Sequence, residues 1–370
     1  MTSIAYNAMV LRPPYTGVEH AVVRVGQGLL DRAEPGGFSV TVFCPRTERP
    51  PPFRVRHACD RVVRCGAPFR SRLLRILWEQ FVLPLRLRRF DLLHAPAYVS
   101  PLFAPCPVAL TVYDLHALDA PARCRFLNRW NFRLQLPRSL RGAAAVLVPT
   151  EHTRAAVLRR FPSLAERIRV VPLPISDSFR EPPRKTAPDG SPPYLLCVGN
   201  LEPRKNLPLA VAALRRLRDT VAPSLQLRIA GHASMGDGAL KRLLRDDPSL
   251  RAAVRFTGYV ADDALPGLYA GAEAFVYPSV DEGFGLPPLE AMACGCPVLC
   301  ANTDTAREVC GDAAIFVDPS DPSDLADAVA ALLASPERRA RLVERGRSRA
   351  ALFRTPEITA QHLGIYRAMN

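Results

Sequence analysis

Residues 276–299 read VYPSVDEGFGLPPLEAMACGCPVL, from Val276 to Leu299. Two carboxylates, Glu282 and Glu290, stand eight positions apart, separated by a glycine turn (Gly283, Phe284, Gly285) and by Pro287-Pro288. The apolar run Ala274 to Tyr277 predicts a buried strand, and Leu289 to Ala293 a helix. Proline is tolerated in the first turn of a helix, where its missing N–H would be unpaired anyway. The chain therefore leaves a strand, turns over glycines and enters a helix whose first amides face the turn. Free amides at the positive end of a helix dipole make an anion site, and glycine lets a ligand approach the backbone closely. The spacing puts Glu282 at the turn and Glu290 in the first helical turn. An ordinary strand–turn–helix with solvated glutamates satisfies E-x7-E equally well; the longer string is far more specific.

That string resembles the donor-site signature of glycosyltransferase family 4, the retaining enzymes of the GT-B fold. The family pattern, E-G-F-G-L-P-x-x-E-A-M-A-x-G-x-P-V, is matched here at every fixed position. The resemblance implies an α/β chain with two Rossmann-like parallel-sheet domains facing across a cleft, the nucleotide-diphosphate sugar held mainly by the second.

The second half opens with the strand-like Tyr194 to Val198, then Gly199-Asn200-Leu201-Glu202-Pro203-Arg204-Lys205-Asn206. Arginine can grip two phosphate oxygens and lysine supplies a point charge. A solvated basic turn is the plain reading of this loop by itself. Beside the glutamate motif it resembles the family's diphosphate-binding loop, with Arg204 and Lys205 matching its cations. Many members carry arginine directly after the glycine, where this chain has Asn200. After the strand Val254 to Gly258, Tyr259 and Val260 match the loop that lines the nucleotide base. In the first half, Asp91, His94 and Pro96 match D-x-x-H-x-P, and Tyr113-Asp114-Leu115 stands where the family ends a strand with H-D-L. That histidine faces the donor sugar in the family, so Tyr113 is a departure, with His116 nearby. Gly17, in the turn after the first strand, falls where the family places an acceptor-facing loop; a plain βα turn explains it as well, and the dinucleotide fingerprint G-x-G-x-x-G is absent.

The resemblance implies roles for these residues. Arg204, Lys205 and the amides near Gly285 and Leu286 would bind the departing diphosphate. Glu282 would hold sugar hydroxyls and Glu290 the ribose. Gly199, Asn200, Tyr259, Val260, Gly283 and Phe284 would complete the donor site, and Gly17, Tyr113, Asp114 and His116 would offer sugar or acceptor contacts. No metal and no cofactor is required. The implied activity is retaining transfer of a hexose to a glycan or lipid-linked acceptor. The Leu201-to-Asn206 string looks like that of members that build bacterial surface polysaccharides, often from GDP-mannose. Two rivals stay open. A nucleotide-sugar 2-epimerase shares the architecture but lacks the E-G-F-G-L-P string. A GT-B binding or scaffold protein that lost turnover would accommodate the Tyr113 and Asn200 departures.

A chain of 370 residues is long enough for two domains. No run of eighteen apolar residues occurs, so no membrane span is expected, and the N-terminus lacks the pattern of a secretory signal. Ten scattered cysteines without a C-x-x-C pair read as reduced thiols of a cytoplasmic protein, with no metal site expected. Residues 1–180 hold 27 Lys+Arg against 12 Asp+Glu, a net of +15, whereas 181–370 hold 22 against 23. A basic first half suits an anionic membrane surface or acceptor; no nucleic-acid motif accompanies the dispersed arginines. Residues 69–90, FRSRLLRILWEQFVLPLRLRRF, predict a basic helix with Leu73, Leu74, Leu77 and Phe81 on one face. That face can pack on a sheet or lie at the inner face of a membrane as a peripheral contact. Alternating strands and helices predict a first domain over 1–180, a proline-rich linker over 181–193 and a donor domain over 194–354. In GT-B proteins the last helix crosses back to the first domain, which is the expectation for 355–370.

Overall fold

The computed structural model describes residues 1–13, 15–32, 37–46, 52–66, 72–119, 126–179, 192–232 and 238–369. The chain divides into two compact units, Met1–Pro174 with Thr355–Asn370, and Ile175–Arg354. Residues 175–179 thus belong with the second unit, where Ile175 N–H donates to Phe353 O at 2.9 Å. The boundary falls earlier than the expected 180, and residues 181–191 of the expected linker lie outside the described residues.

The first unit holds β1 (Thr2–Asn7), β2 (Phe38–Pro45), β3 (Arg61–Cys65), β4 (Leu92–Ala95), β5 (Val108–Thr111), β6 (Ala145–Val148) and β7 (Ile168–Val170). All pair in parallel, in the order β3-β2-β1-β4-β5-β6-β7. Parallel strands covered on both faces need apolar residues at consecutive positions, which these short runs supply. Ile4 and Tyr6 join a core with Val22, Val25 and Leu29 of the helix Gly17–Arg32 and with Ile358, Leu363 and Tyr366 of the helix Thr355–Met369. Ala5, between them, joins the opposite core with Leu83, Leu87, Leu136 and Leu140. Successive strand residues point to opposite faces, so β1 serves both layers. β3 was not expected. Its sequence RVVRC is bracketed by arginines and it is an edge strand, with only Cys65 buried.

The second unit holds β8 (Tyr194–Val198), β9 (Gln226–Ala230), β10 (Val254–Gly258), β11 (Ala274–Tyr277), β12 (Val298–Ala301) and β13 (Ile315–Val317), in the parallel order β10-β9-β8-β11-β12-β13. Strand order reverses between β8 and β11. In open α/β sheets, ligands bind beyond the carboxyl ends of the strands at such a switch point. The loops that leave β8 and β11 carry the Arg204-Lys205 and Glu282 segments.

The basic helix runs from Arg72 to Leu87, with a π-helical segment at Trp78–Val82. Leu83 and Leu87 reach the core. Leu73, Leu74, Leu77, Phe81 and Leu85 turn to solvent, Phe81 by 69%. The wider π turn shifts the helical phase, so a different face from the predicted one meets the sheet. Gln80 brackets the next loop: its Nε2 donates to Ser100 O at 3.2 Å and its Oε1 accepts from Leu102 N–H at 3.0 Å. This brings exposed Leu102 and Phe103, the latter 84% accessible, to the same helix. Among the described residues no helix is long and apolar enough to cross a membrane.

A buried polar relay ties the helix Thr355–Met369 to the first sheet. His94 on β4 meets Thr111 Oγ1 on β5 through Nε2 at 2.9 Å and the Tyr366 hydroxyl through Nδ1 at 2.6 Å. With Tyr366 donating to Nδ1, Nε2–H is left to donate to Thr111. The Tyr6 ring packs edge-on against His94, and the His362 ring lies 5.6 Å away. Burial, then neighbouring His362, pushes His94 well below the ordinary histidine range, and burial brings His362 down to about 4. Both rings are therefore neutral when folded, whereas the unfolded chain takes up protons near pH 6.5. Their stabilisation is complete above about pH 6.5 and is lost as pH falls toward 4, by up to about 1.4 kcal/mol per pH unit per ring. Urea unfolding between pH 7.5 and 4.5 should show a shallower loss for His362→Leu than for the wild type; parallel curves would mean the rings do not set this slope.

Candidate functional site

The turn after β8 is built on glycine. Gly199 adopts φ +143° and Gly231, after β9, φ +152°. A Cβ on Gly231 would stand 2.0 Å from Gly199 O, and one on Gly199 would meet Lys205 Cε at 3.1 Å. Gly199 N–H donates to Ala230 O, Leu201 N–H to His232 O and Gly231 N–H to Gly258 O, which laces the three turns together. The chain then makes one 3₁₀ turn, Pro203–Lys205, and passes through Asn206 at φ +49° into the helix Leu207–Thr220. This path directs Lys205 inward, beneath Gly199.

The turn after β11 meets it. Val280 N–H donates to Arg204 O at 3.0 Å, and Arg204 Nη1 donates to Asp281 O at 3.1 Å. Glu282 Oε1 lies 2.5 Å from Lys205 Nζ, 2.6 Å from Arg204 Nη1 and 2.6 Å from Ser279 Oγ. Thr305 Oγ1 donates to the Glu282 carbonyl at 3.0 Å. Lys205 Nζ also reaches the Tyr277 hydroxyl at 3.3 Å. Glu202, which the sequence reading gave no role, holds Arg204 Nε at 2.7 Å. Burial alone would raise the Glu282 pKa, but Lys205 and Arg204 outweigh it and bring it down to about 2.

Other predicted residues are placed differently. The helix begins at Leu286, not at Leu289, because Gly285 at φ +92° starts it and both prolines fit its first turn. Glu290 therefore stands in the second turn, buried, with the Tyr269 hydroxyl 3.3 Å from its Oε2. The Phe284 ring is buried edge-on against Phe353, so only its backbone is available to a ligand. Tyr259 and Val260 follow β10, two strands over from β8. Tyr259 is exposed and stacks on His232 at 5.1 Å and 12°. His232 has no distinguishing signal in the sequence beyond its place directly after Gly231.

In the first unit, Tyr113 is buried, its ring edge-on to Tyr98, and its carbonyl accepts from Thr153 Oγ1 at 3.3 Å. Asp114 Oδ2 accepts from the Tyr98 hydroxyl at 2.8 Å, and Asp114 Oδ1 from His116 N–H at 3.1 Å. Tyr98 adopts φ +64°, uncommon for a non-glycine residue and a frequent mark of functional strain. Nothing in its sequence context signals this. Gly17 begins the first helix with open space around its α-carbon. Among the described residues, no group of three or more His, Cys, Asp or Glu side chains is placed to hold a metal ion.

Two family models match in succession: Glycosyltransferase Family 4 over residues 15–179 and Glycosyl transferases group 1 over residues 178–349. The chain is 31% identical over 274 residues to O-antigen chain mannosyltransferase B of Escherichia coli, covering 70% of each protein. The chain belongs to glycosyltransferase family 4. As a family 4 member it is an enzyme of the hexosyltransferase class with the GT-B fold. Sucrose-phosphate synthase from Thermosynechococcus elongatus superposes with a TM-score of 0.76 at 24% identity, covering 100% of this chain and 99% of that one. Anabaena HepE, in complex with UDP and glucose, superposes with a TM-score of 0.74 at 19% identity over 100% of both chains.

The Glu282 cluster has a measurable acid limit. A carboxylate whose folded pKa is depressed stabilises fully above its unfolded value and loses that contribution as pH falls through the folded one. The window here is from about pH 4.5 to about 2. The stability gap between wild type and Glu282→Gln, on the order of 3 kcal/mol near neutrality, should close across that window in denaturant titrations. A gap that stays constant would mean Glu282 is not held by these cations.

Proposed function

We propose that this enzyme transfers a hexose, mannose being favoured, from a nucleotide-diphosphate sugar to a glycan or lipid-linked acceptor, with retention at the anomeric carbon. The observation that carries the reading is the meeting of Arg204, Lys205 and Glu282 beyond the switch point between β8 and β11. The mannosyltransferase relative supports the sugar and a role in surface-polysaccharide assembly, and the UDP bound to HepE supports a nucleotide donor.

The chemistry needs a place for the negative charge that develops as the sugar–phosphate bond breaks. Arg204, Lys205 and the amides near Gly285 and Leu286 bind it. Glu282 orients sugar hydroxyls and Glu290 the ribose, with Gly199, Asn200, Gly283, Tyr259 and Val260 completing the donor site. The leaving phosphate takes the acceptor proton, so neither glutamate serves as a hydrolase acid or base. The two cations do the neutralising, and no metal is needed.

Calorimetric titration with GDP, UDP, ADP and dTDP, beside Glu290→Ala, tests the donor site. One nucleotide should bind, more weakly in the variant; binding of none would favour the scaffold alternative. Lys205→Ala should lower turnover by ~10²-fold or more, and full activity in that variant would remove the phosphate assignment.

The exposed stripe Leu73, Leu77, Phe81 and Leu85, with exposed Phe103 on the loop that Gln80 holds to the same helix and exposed Arg86, Arg88 and Arg89 following, suits an anionic bilayer as the place where a lipid-linked acceptor is met. Apolar side chains enter the interface while arginines meet headgroups. The protein should sediment with phosphatidylglycerol vesicles and not with phosphatidylcholine ones. Phe81→Asp should abolish this without changing nucleotide affinity; undiminished sedimentation would exclude this face.

A further inference from the structure

Arg204 and Lys205 are not vacant cations. Each is within 2.5–2.6 Å of Glu282, and Arg204 is also 2.7 Å from Glu202. Two positive and two negative side chains leave the cluster with no net charge. The Lys205 and Glu282 side chains are only 11% and 16% accessible. A buried cation pair without counter-charge is costly, so the carboxylates answer a need that exists whenever the donor is absent. The same carboxylates oppose an incoming diphosphate, because like charges in one site cannot all stay ionised and close.

Resting on the donor-site reading above, we propose that Glu282, helped by Glu202, is a resident counter-ion that the donor's diphosphate displaces, so that donor binding is an exchange of carboxylate for phosphate on Arg204 and Lys205. The backbone is prepared for a side-chain movement alone. Thr305 pins the Glu282 carbonyl, and Asp281 and Val280 are bonded to Arg204, so the turn stays while the carboxylate leaves. Ser279 is a positioning residue that holds the carboxylate in its resting place. Once released, the carboxylate has lost its donors and is available to sugar hydroxyls beside the bound diphosphate. Phosphate arrival and sugar orientation are thereby one event, and a bare nucleoside cannot set it off.

The test is titration of the wild type, Glu282→Gln and Ser279→Ala with the nucleoside diphosphates above and with their parent nucleosides. The diphosphate should bind Glu282→Gln about tenfold more tightly or better, about 1.4 kcal/mol per decade, and Ser279→Ala more tightly by less. Nucleoside affinity should not move. Glu282→Gln should also turn over sugar donor more slowly despite its tighter grip on product. Diphosphate affinity that is unchanged or weakened in both folded variants overturns the exchange alone. Thermal unfolding verifies folding; should Glu282→Gln fail it, Ser279→Ala decides by the same criterion. No diphosphate binding by any of the three proteins removes the donor-site reading, and the exchange with it.

Discussion

Oε1 of Glu282 is shared by Lys205 at 2.5 Å, Arg204 at 2.6 Å and Ser279 at 2.6 Å, and the second unit is built so that all three can reach it. Lys205 packs beneath the carboxyl end of β8, where a Cβ on Gly199 would stand 3.1 Å from its Cε and where φ +143° also favours glycine. The turn that carries Gly199 is then so close to its neighbour that Gly231 must be glycine as well. Two loops far apart in sequence are bonded backbone to backbone before any charge is counted. The electrostatics come last: a carboxylate in a poorly solvated place stays ionised because cations outweigh the burial.

The first unit solves the related difficulty in the opposite way. His94 and His362 are buried without any carboxylate partner among their described bonds, and they are kept neutral instead of paired. Each ring nitrogen of His94 still finds an oxygen, so burial costs no unmade hydrogen bond. One unit therefore contains a charge cluster compensated within itself, and the other a neutral relay. That difference is in keeping with the donor site proposed for the second unit.

Much of this was legible in the sequence because the relevant signals are local. The β11 turn and its helix are written in consecutive residues, and a parallel strand buried on both faces must be an apolar run, as at Ala274–Tyr277. What the sequence hid depended on phase and on distance. The face of 72–87 that meets the sheet is set by a π segment that no periodicity of ordinary helix anticipates. β3 has too few apolar residues to stand out, since an edge strand needs few. Glu202 reads as part of a solvated turn because its partner, Arg204, is only two residues away and matches a phosphate-binding cation. Tyr98 announces nothing, because its left-handed backbone is imposed by its surroundings and not by its own residue type.

The helix Thr355–Met369 completes the first core, yet Ile175–Arg354 must leave the ribosome before it does. At roughly 5–20 residues per second, those 180 residues take about 10–40 seconds to make. During that interval Val22, Val25, Leu29 and the Nδ1 side of the His94 ring wait for a cover that has not been synthesised, and by its end the second unit has all of its own strands. Nascent chains of this protein are thus expected to acquire their middle before their beginning, and the time of greatest exposure to misassembly is set by translation rate and not by the intrinsic folding speed of the first unit.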